Sequence, residues 1–399
     1  MTTTATSSDL VFDTYDHSTM VDPHALFRRM REEAPLYYNE EHGFYAVSRF
    51  DDIEKVLLTR DVFISRKGVT LSLLKSDWEI PPGTLIFDEE PMHGIHRKLL
   101  SRMFTPKRVA ALEPQIRKLC AELLDPLMGA DGFDFVRDLG SIVPMHVISM
   151  LLGIPEEEQV RIRDHFAYTR EELDSSEMEP DAHSLDGGIF AEFIDWRVQH
   201  PSDDIMSHLL HVEFEDEDGV MRRMSRDELL CYVNIIAAAG NETTRLLIGW
   251  SGRLLAEHPD ERRKLVEDPS LCVRAVEEVL RYEPNTLTNC RWSVSDFEFQ
   301  GQVVPANSIV ATLTPSAGRD HRVYPDPDRF DVAREPGMHM YFGFGAHYCL
   351  GQALARLEGR IVLEEVLQRF PEWDVDLENS RFMYHTDNRG YSLLPVVLK

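Results

Sequence analysis

The chain is poor in cysteine, with five in 399 residues, at 120, 231, 272, 290 and 349, and no C-x-x-C pair. That excludes a disulfide framework and a cysteine-rich zinc site, and it suits a reducing compartment. Positive charge is also scarce. Forty-two Lys and Arg face 69 Asp and Glu, for a net charge of −27. Such a balance argues against nonspecific binding to nucleic acid or to an anionic membrane surface. No apolar run approaches the ~18 residues of a membrane span, and Met1 to Leu10 lacks the apolar core of a secretion signal. These absences predict a cytoplasmic protein without a membrane anchor or a nucleic-acid partner. Repeats, low-complexity tracts and nucleotide-binding glycine motifs are missing too. What is present is 43% hydrophobic residues, enough for a substantial core. Length alone would allow two or three domains. With no linker to divide the chain, one domain over residues 1–399 is predicted, expected to be monomeric.

Helical periodicity dominates, from Asp51 to Thr59 and from roughly Gly94 to Phe214. A small hairpin is expected at Leu36 to Ser48, and further strand pieces at Gly301 to Pro305 and Leu393 to Leu398. Phe63 to Pro91 and Glu171 to Gly188 are poor in regular pattern. The longest feature is a helix from Ser225 to about Glu257. Ser225-Arg226-Asp227-Glu228 has the capping-box pattern, and Pro259 follows the end. At ~1.5 Å per residue it would extend about 50 Å. It is apolar nearly all round from Leu229 to Ala239 and should be buried. The predicted class is mainly α with a minor β region.

Two motifs carry chemistry. Phe342-Gly343-Phe344-Gly345-Ala346-His347-Tyr348-Cys349-Leu350-Gly351 places a cysteine in a glycine-punctuated loop that opens a helical run from Leu350 to Phe370. Backbone N–H groups near Leu350 and Gly351 and the positive end of the helix dipole would face the sulfur and favour a thiolate. Glycines 343, 345 and 351 would let the backbone approach something flat and bulky. A bare cysteine is more often a buried structural residue. The second motif, Ala239-Gly240-Asn241-Glu242-Thr243-Thr244, puts a glycine, an acid and two threonines in the middle of the buried helix, where they are costly. It reads either as a kink with a back-bonding threonine or as a local opening that holds water and protons.

The spacing F-G-x-G-x-H-x-C-x-G is similar to the haem-binding loop of the cytochrome P450 monooxygenases, and the helix motif resembles that family's oxygen-binding A/G-G-x-D/E-T-T/S. Glu278-Val279-Leu280-Arg281 resembles its E-x-x-R helix, with Arg329 as the expected third member of a structural ion-pair network. The resemblance implies the P450 fold, haem b as cofactor, Cys349 as the iron ligand, and Phe342, Gly343, Gly351, Ala239 and Gly240 lining the cofactor. It implies His93, Arg97, Arg291 and His347 as partners of the two haem propionates, and Thr243 with Glu242 as the groups that handle oxygen and protons. It further implies O2 as co-substrate and electrons from a separate ferredoxin and ferredoxin reductase. The pocket would be built from Phe63 to Ile86, Thr169 to Phe190, Ile235 to Ala239, Thr286 to Cys290 and Met383 to Thr386. Leu74, Ile86, Phe190, Ile235, Ile236, Leu287 and Met383 suggest a lipophilic small molecule, with a lean towards a steroid, terpenoid or branched lipid. A peroxide-driven haem-thiolate enzyme and a non-catalytic haem sensor or carrier remain alternatives. From Arg97 to Lys118 seven cations face one acid, so a donor protein is expected to dock there, with Arg356 and Arg360 extending the patch.

Overall fold

A computed structural model describes residues 10–77, 79–80, 84–162 and 188–399. The central helix spans Arg226–Glu257. Ser225 accepts the Glu228 N–H and the Glu228 carboxylate accepts the Ser225 N–H, so the capping box is complete. Most of its side chains are buried, as expected for a helix apolar on all sides. Around it pack Val143–Leu152, Cys272–Tyr282 and the C-terminal helix Gln352–Arg369. One apolar core runs through these helices. Phe135–Leu152 is the one stretch among the described residues long and apolar enough to cross a membrane, and 61% of it is buried inside the protein against other helices.

The β structure is peripheral. A five-stranded sheet runs in the order Leu36–Asn39, Phe44–Val47, Ile309–Leu313, Thr288–Ser293, Phe63–Ile64. It is antiparallel except between Phe44–Val47 and Ile309–Leu313. The hairpin expected at Leu36 to Ser48 is its edge. A separate hairpin pairs Arg381–Tyr384 with Arg389–Leu393. The strand Gly132–Asp134, inside the stretch read as helical, joins Pro395–Leu398 through partners 261 to 265 residues away along the chain, which local periodicity does not register.

Glu278 and Arg281 form the structural centre behind the cysteine loop. Two parallel bonds of 2.7 Å join them, and both side chains are almost fully buried. The remaining Arg281 donors go to the carbonyls of Gly318, Pro327 and Arg329. The third ionic member is Arg334, whose Nε lies 3.2 Å from Glu278. This corrects the expectation for Arg329: its side chain is 61% exposed and faces Asp331 at 3.6 Å, while its backbone carbonyl accepts from both Arg281 and Arg334. Removing one partner of such a pair leaves a buried charge uncompensated. Glu278→Gln is therefore expected to lower unfolding stability by about 3–5 kcal/mol, measured by denaturant titration. A loss below about 1 kcal/mol, the range of exposed pairs, would refute this account.

Candidate active site

The loop around Cys349 closes on itself through a 2.8 Å bond from the Cys349 N–H to the Phe342 carbonyl. Gly343 and Gly345 hold φ of +72° and +68°, where a side chain would be strained. Gly351 differs. Its φ is an ordinary −82° and a Cβ there would meet no protein atom within 4 Å, so neither backbone strain nor protein packing requires a glycine at 351. Cys349 is the one cysteine exposed; the other four are buried. Its sulfur accepts N–H groups from Gly351 and Gln352. These two donors sit at the start of the C-terminal helix, Gly351 as its N-cap and Gln352 as its first residue, where N–H groups lack intrahelical partners. Desolvation nonetheless pushes the Cys349 thiol up, against the opposing pull of Gly351, Arg97, Arg356 and Gln352. The N–H groups and cations pull towards the thiolate, and a coordinated metal ion would deprotonate the sulfur outright.

His93, Arg97, Arg291 and His347 converge beside this loop. The His93 and His347 rings lie 4.2 Å apart between centroids. Burial, with Arg291, His93 and Arg97 nearby, drives the His347 pKa down to about 3. Burial also brings Arg291 down to about 10. Its guanidinium donates to the Cys290 carbonyl at 2.8 Å and to the Asn289 side chain. Arg97 donates to the Tyr348 carbonyl at 2.5 Å. His93 Nδ1 sits 3.6 Å from Glu90, and its buried Nε2 has no hydrogen-bond partner among the described residues. Desolvated cations and an orphaned imidazole nitrogen suit a ligand that brings carboxylates. Among the described residues no group of three or more His, Cys, Asp or Glu could hold a metal ion. A metal at Cys349 would have to arrive with most of its own ligands, as it does in haem.

The central helix faces the loop with its costly residues. It is assigned as helix without interruption through Gly240 to Thr244. Thr243 Oγ1 donates to the Ala239 carbonyl at 2.8 Å, the back-bonding arrangement. Gly240 has a packing reason: a Cβ there would come within 2.6 Å of Ile148 Cδ1. Ala239 is exposed, and Glu242 is buried. Two partners were not legible in the sequence. Asn285 Nδ2 donates to the Thr243 carbonyl at 2.6 Å. The Tyr341 hydroxyl, raised in pKa by burial and by Cys349, is hydrogen-bonded to Asn285 and Thr243. A tyrosine directly before the F-G-x-G loop was a signal available in the chain.

The expected pocket residues do not gather as one set. Phe190 and Ile236 are buried in the main core. Leu287 is fully buried in a second cluster, beneath the sheet, with Leu74 packed against it. Their apolar side chains meet other side chains there, which is the usual fate of large hydrophobes. Ile86 is 39% exposed. Ile235 is half-buried, and Met383 is buried with its sulfur 3.2 Å from Arg245. The stretch 169–187 of the expected lining lies outside the described residues.

Comparison with known proteins accounts for this arrangement. The sequence model of the family described as Cytochrome P450 matches residues 170–395. The chain is 33% identical to "Putative cytochrome P450 123" of Mycobacterium tuberculosis over 99% of both chains. It is 30% identical to "Vitamin D(3) 25-hydroxylase" of Pseudonocardia autotrophica, covering all of this chain and 98% of that protein. The solved structure of cytochrome P450 CYP109Q5 from Chondromyces apiculatus superposes with a TM-score of 0.86 at 32% identity, over 97% of this chain and 98% of that one. The exposed cysteine loop, the buried E-x-x-R pair and the long central helix thus belong together, and the chain is a member of the cytochrome P450 family of haem-thiolate monooxygenases, which carry haem b.

Proposed function

We propose that this enzyme hydroxylates a lipophilic small molecule, with Cys349 holding the haem iron and electrons supplied by a separate ferredoxin and its reductase. When bound, haem iron supplies oxygen binding and the one-electron chemistry that inserts one oxygen atom into a C–H bond. The observation that carries the reading is the exposed Cys349, with N–H donors behind it and buried cations beside it.

The protein's own part is positioning and proton handling. The Gly351 and Gln352 N–H groups orient the sulfur and offset some of its negative charge. Arg97, Arg291, His93 and His347 hold the carboxylates of the cofactor, Arg through its planar fork. Thr243 carries a hydroxyl that can leave its Ala239 carbonyl and present a proton towards the substrate side. Glu242 serves as the carboxylate of that route. This Thr–Glu pair favours an oxygen-using enzyme over a peroxide-driven one or a carrier. A vitamin D(3) hydroxylase among the relatives supports a lipophilic substrate and the lean towards a steroid, terpenoid or branched lipid. The experiment is product formation from a panel of sterols, terpenoids and branched fatty acids with a ferredoxin system. Cofactor consumption without product across the panel, and turnover with peroxide alone, would favour the peroxide-driven reading.

The donor's docking surface is smaller than the charge count suggests. Arg117 is taken up by Glu113, Glu364 and Glu365, Arg360 by Glu113 and Glu364, and Arg356 by Glu277. Arg108 lies 3.4 Å from Asp203 and Lys118 3.5 Å from Glu122. Lys98, Arg102 and Lys107 are exposed, with no ion pair among the described residues. They follow the buried His93 on and just after the helix Met92–Ser101. Complementary charge speeds encounter more than it raises affinity. Arg102→Glu with Lys107→Glu is expected to slow reduction by ferredoxin about tenfold at low salt and to flatten its salt dependence, with substrate binding unchanged. Equal stopped-flow rates at low salt would place the docking elsewhere.

A further inference from the structure

The residue before the E-x-x-R glutamate has no role in the mechanism above, yet it joins both flanks of the cysteine loop. Glu277 Oε1 lies 2.5 Å from Arg356 Nε and Oε2 lies 3.1 Å from Arg356 Nη2. The same Oε2 meets His339 Nε2 at 2.9 Å. His339 stands three residues before Phe342, and Arg356 stands seven residues after Cys349. One carboxylate on Cys272–Tyr282 therefore ties the chain entering the loop to the helix leaving it. Glu277 and His339 are 13% and 5% exposed, and Arg356 is 30% exposed. In this partly water-excluded setting, charges act over longer range than at the surface. Arg356 lies over the Phe342 ring at 4.3 Å, a cation–π contact. Its charge reaches Cys349, where it favours the ionised sulfur, and its side chain hydrogen-bonds Tyr348. The Glu277 carboxyl is held down at about 2 by His339 and Arg356 in spite of its burial, so it is ionised at any working pH.

We infer that Glu277 and Arg356 are a pair of positioning residues whose opposite charges set the field at Cys349, and with it the reduction potential of the bound iron; this rests on Cys349 as the iron ligand. Reduction adds one electron to the haem and makes the site more negative. A nearby cation favours that step and a nearby anion opposes it. The pair holds the two effects in balance at fixed geometry, as outer charges around a metal do.

The test is a dye-mediated potentiometric titration of the haem-loaded protein with dithionite as the electron source, alongside the ferrous–CO spectrum. Glu277→Gln removes the anion and should shift the ferric–ferrous equilibrium about tenfold towards ferrous, which is 59 mV for a one-electron couple. Arg356→Gln removes the cation and should shift it about tenfold the other way. Arg356→Lys keeps the charge and should stay within about threefold of wild type. A purely structural role would open the loop to water in both Gln variants and move both potentials in the same direction; that result, or two unchanged potentials, overturns the proposal. If either single variant does not fold, the double variant Glu277→Gln with Arg356→Gln removes both charges of the pair and should lie within about threefold of wild type, whereas a tenfold displacement refutes the balance. A wild-type protein lacking the thiolate-type CO band would sink the Cys349 assignment instead.

Discussion

Cys349→Ser is expected to abolish the thiolate-type Soret band of the reduced, CO-bound protein and to reduce oxygen-dependent product formation to background. A serine hydroxyl is a far weaker acid than a thiol, and in this loop the protein already resists ionisation of the group. Desolvation outweighs the Gly351 and Gln352 N–H groups and the cations Arg97 and Arg356. Only the sulfur combines a lower intrinsic pKa with affinity for iron. The loop itself should survive the change. Its geometry depends on the Cys349 N–H to Phe342 carbonyl bond and on the positive φ of Gly343 and Gly345, none of which uses the sulfur. Thermal unfolding of the cofactor-free variant should therefore match wild type. If the CO band persists in the variant, a different residue holds the iron. The other four cysteines are buried, and Cys120, Cys272 and Cys290 are each pushed up to about 12 by burial, which makes them poor substitutes.

Thr243→Ala is expected to retain haem and substrate binding while product per electron consumed falls on the order of 10²-fold, with the missing electrons recovered as peroxide. The reasoning starts from cost. A threonine in a buried helix competes for its own backbone, and Thr243 does so through the 2.8 Å bond to the Ala239 carbonyl. An alanine would suit the helix better by propensity alone. The variant should thus be as stable as wild type or slightly more so, since the carbonyl freed at Ala239 keeps its helical partner. Loss of coupling without loss of stability would separate a proton-handling role from a packing one. The neighbouring Asn285 bond goes to the Thr243 backbone carbonyl, does not use the deleted side chain, and should hold the Thr243→Ala variant in the same backbone position. Unchanged coupling, measured as product and peroxide against reduced cofactor consumed, would remove Thr243 from the proton route and point to ordered water in its place.

Much of the fold was legible because its determinants are local. The capping box from Ser225 to Glu228 lies within one helical turn, and it starts the central helix at Arg226, one residue from the expected position. The hairpin at Leu36–Asn39 and Phe44–Val47 is specified by alternation and a short turn. Glu278 and Arg281 lie on one helix face and form their two-bond pair from that spacing alone. The cysteine loop was legible for the same reason, since ten consecutive residues hold the glycines at positive φ, the helix start and the sulfur.

Tertiary structure decided what depends on partners far apart in the chain. Arg334 rather than Arg329 completes the network at Glu278, 56 residues away, because the turn after Pro327 directs one arginine inward and the other to solvent. In the basic stretch from Arg97 to Lys118, Arg117 is taken up by Glu364 and Glu365 on the C-terminal helix and Arg108 meets Asp203, which a count along the sequence cannot register. Phe190 and Leu287 carry the apolar character of pocket residues, but packing places them in two different cores. Glu277 reads as one more acid on a helix face until His339 and Arg356 close on it from 62 and 79 residues away. Chemistry that fits within a helical turn is written in the order of residues; the charge and burial that tune it arise only when distant segments meet and exclude water.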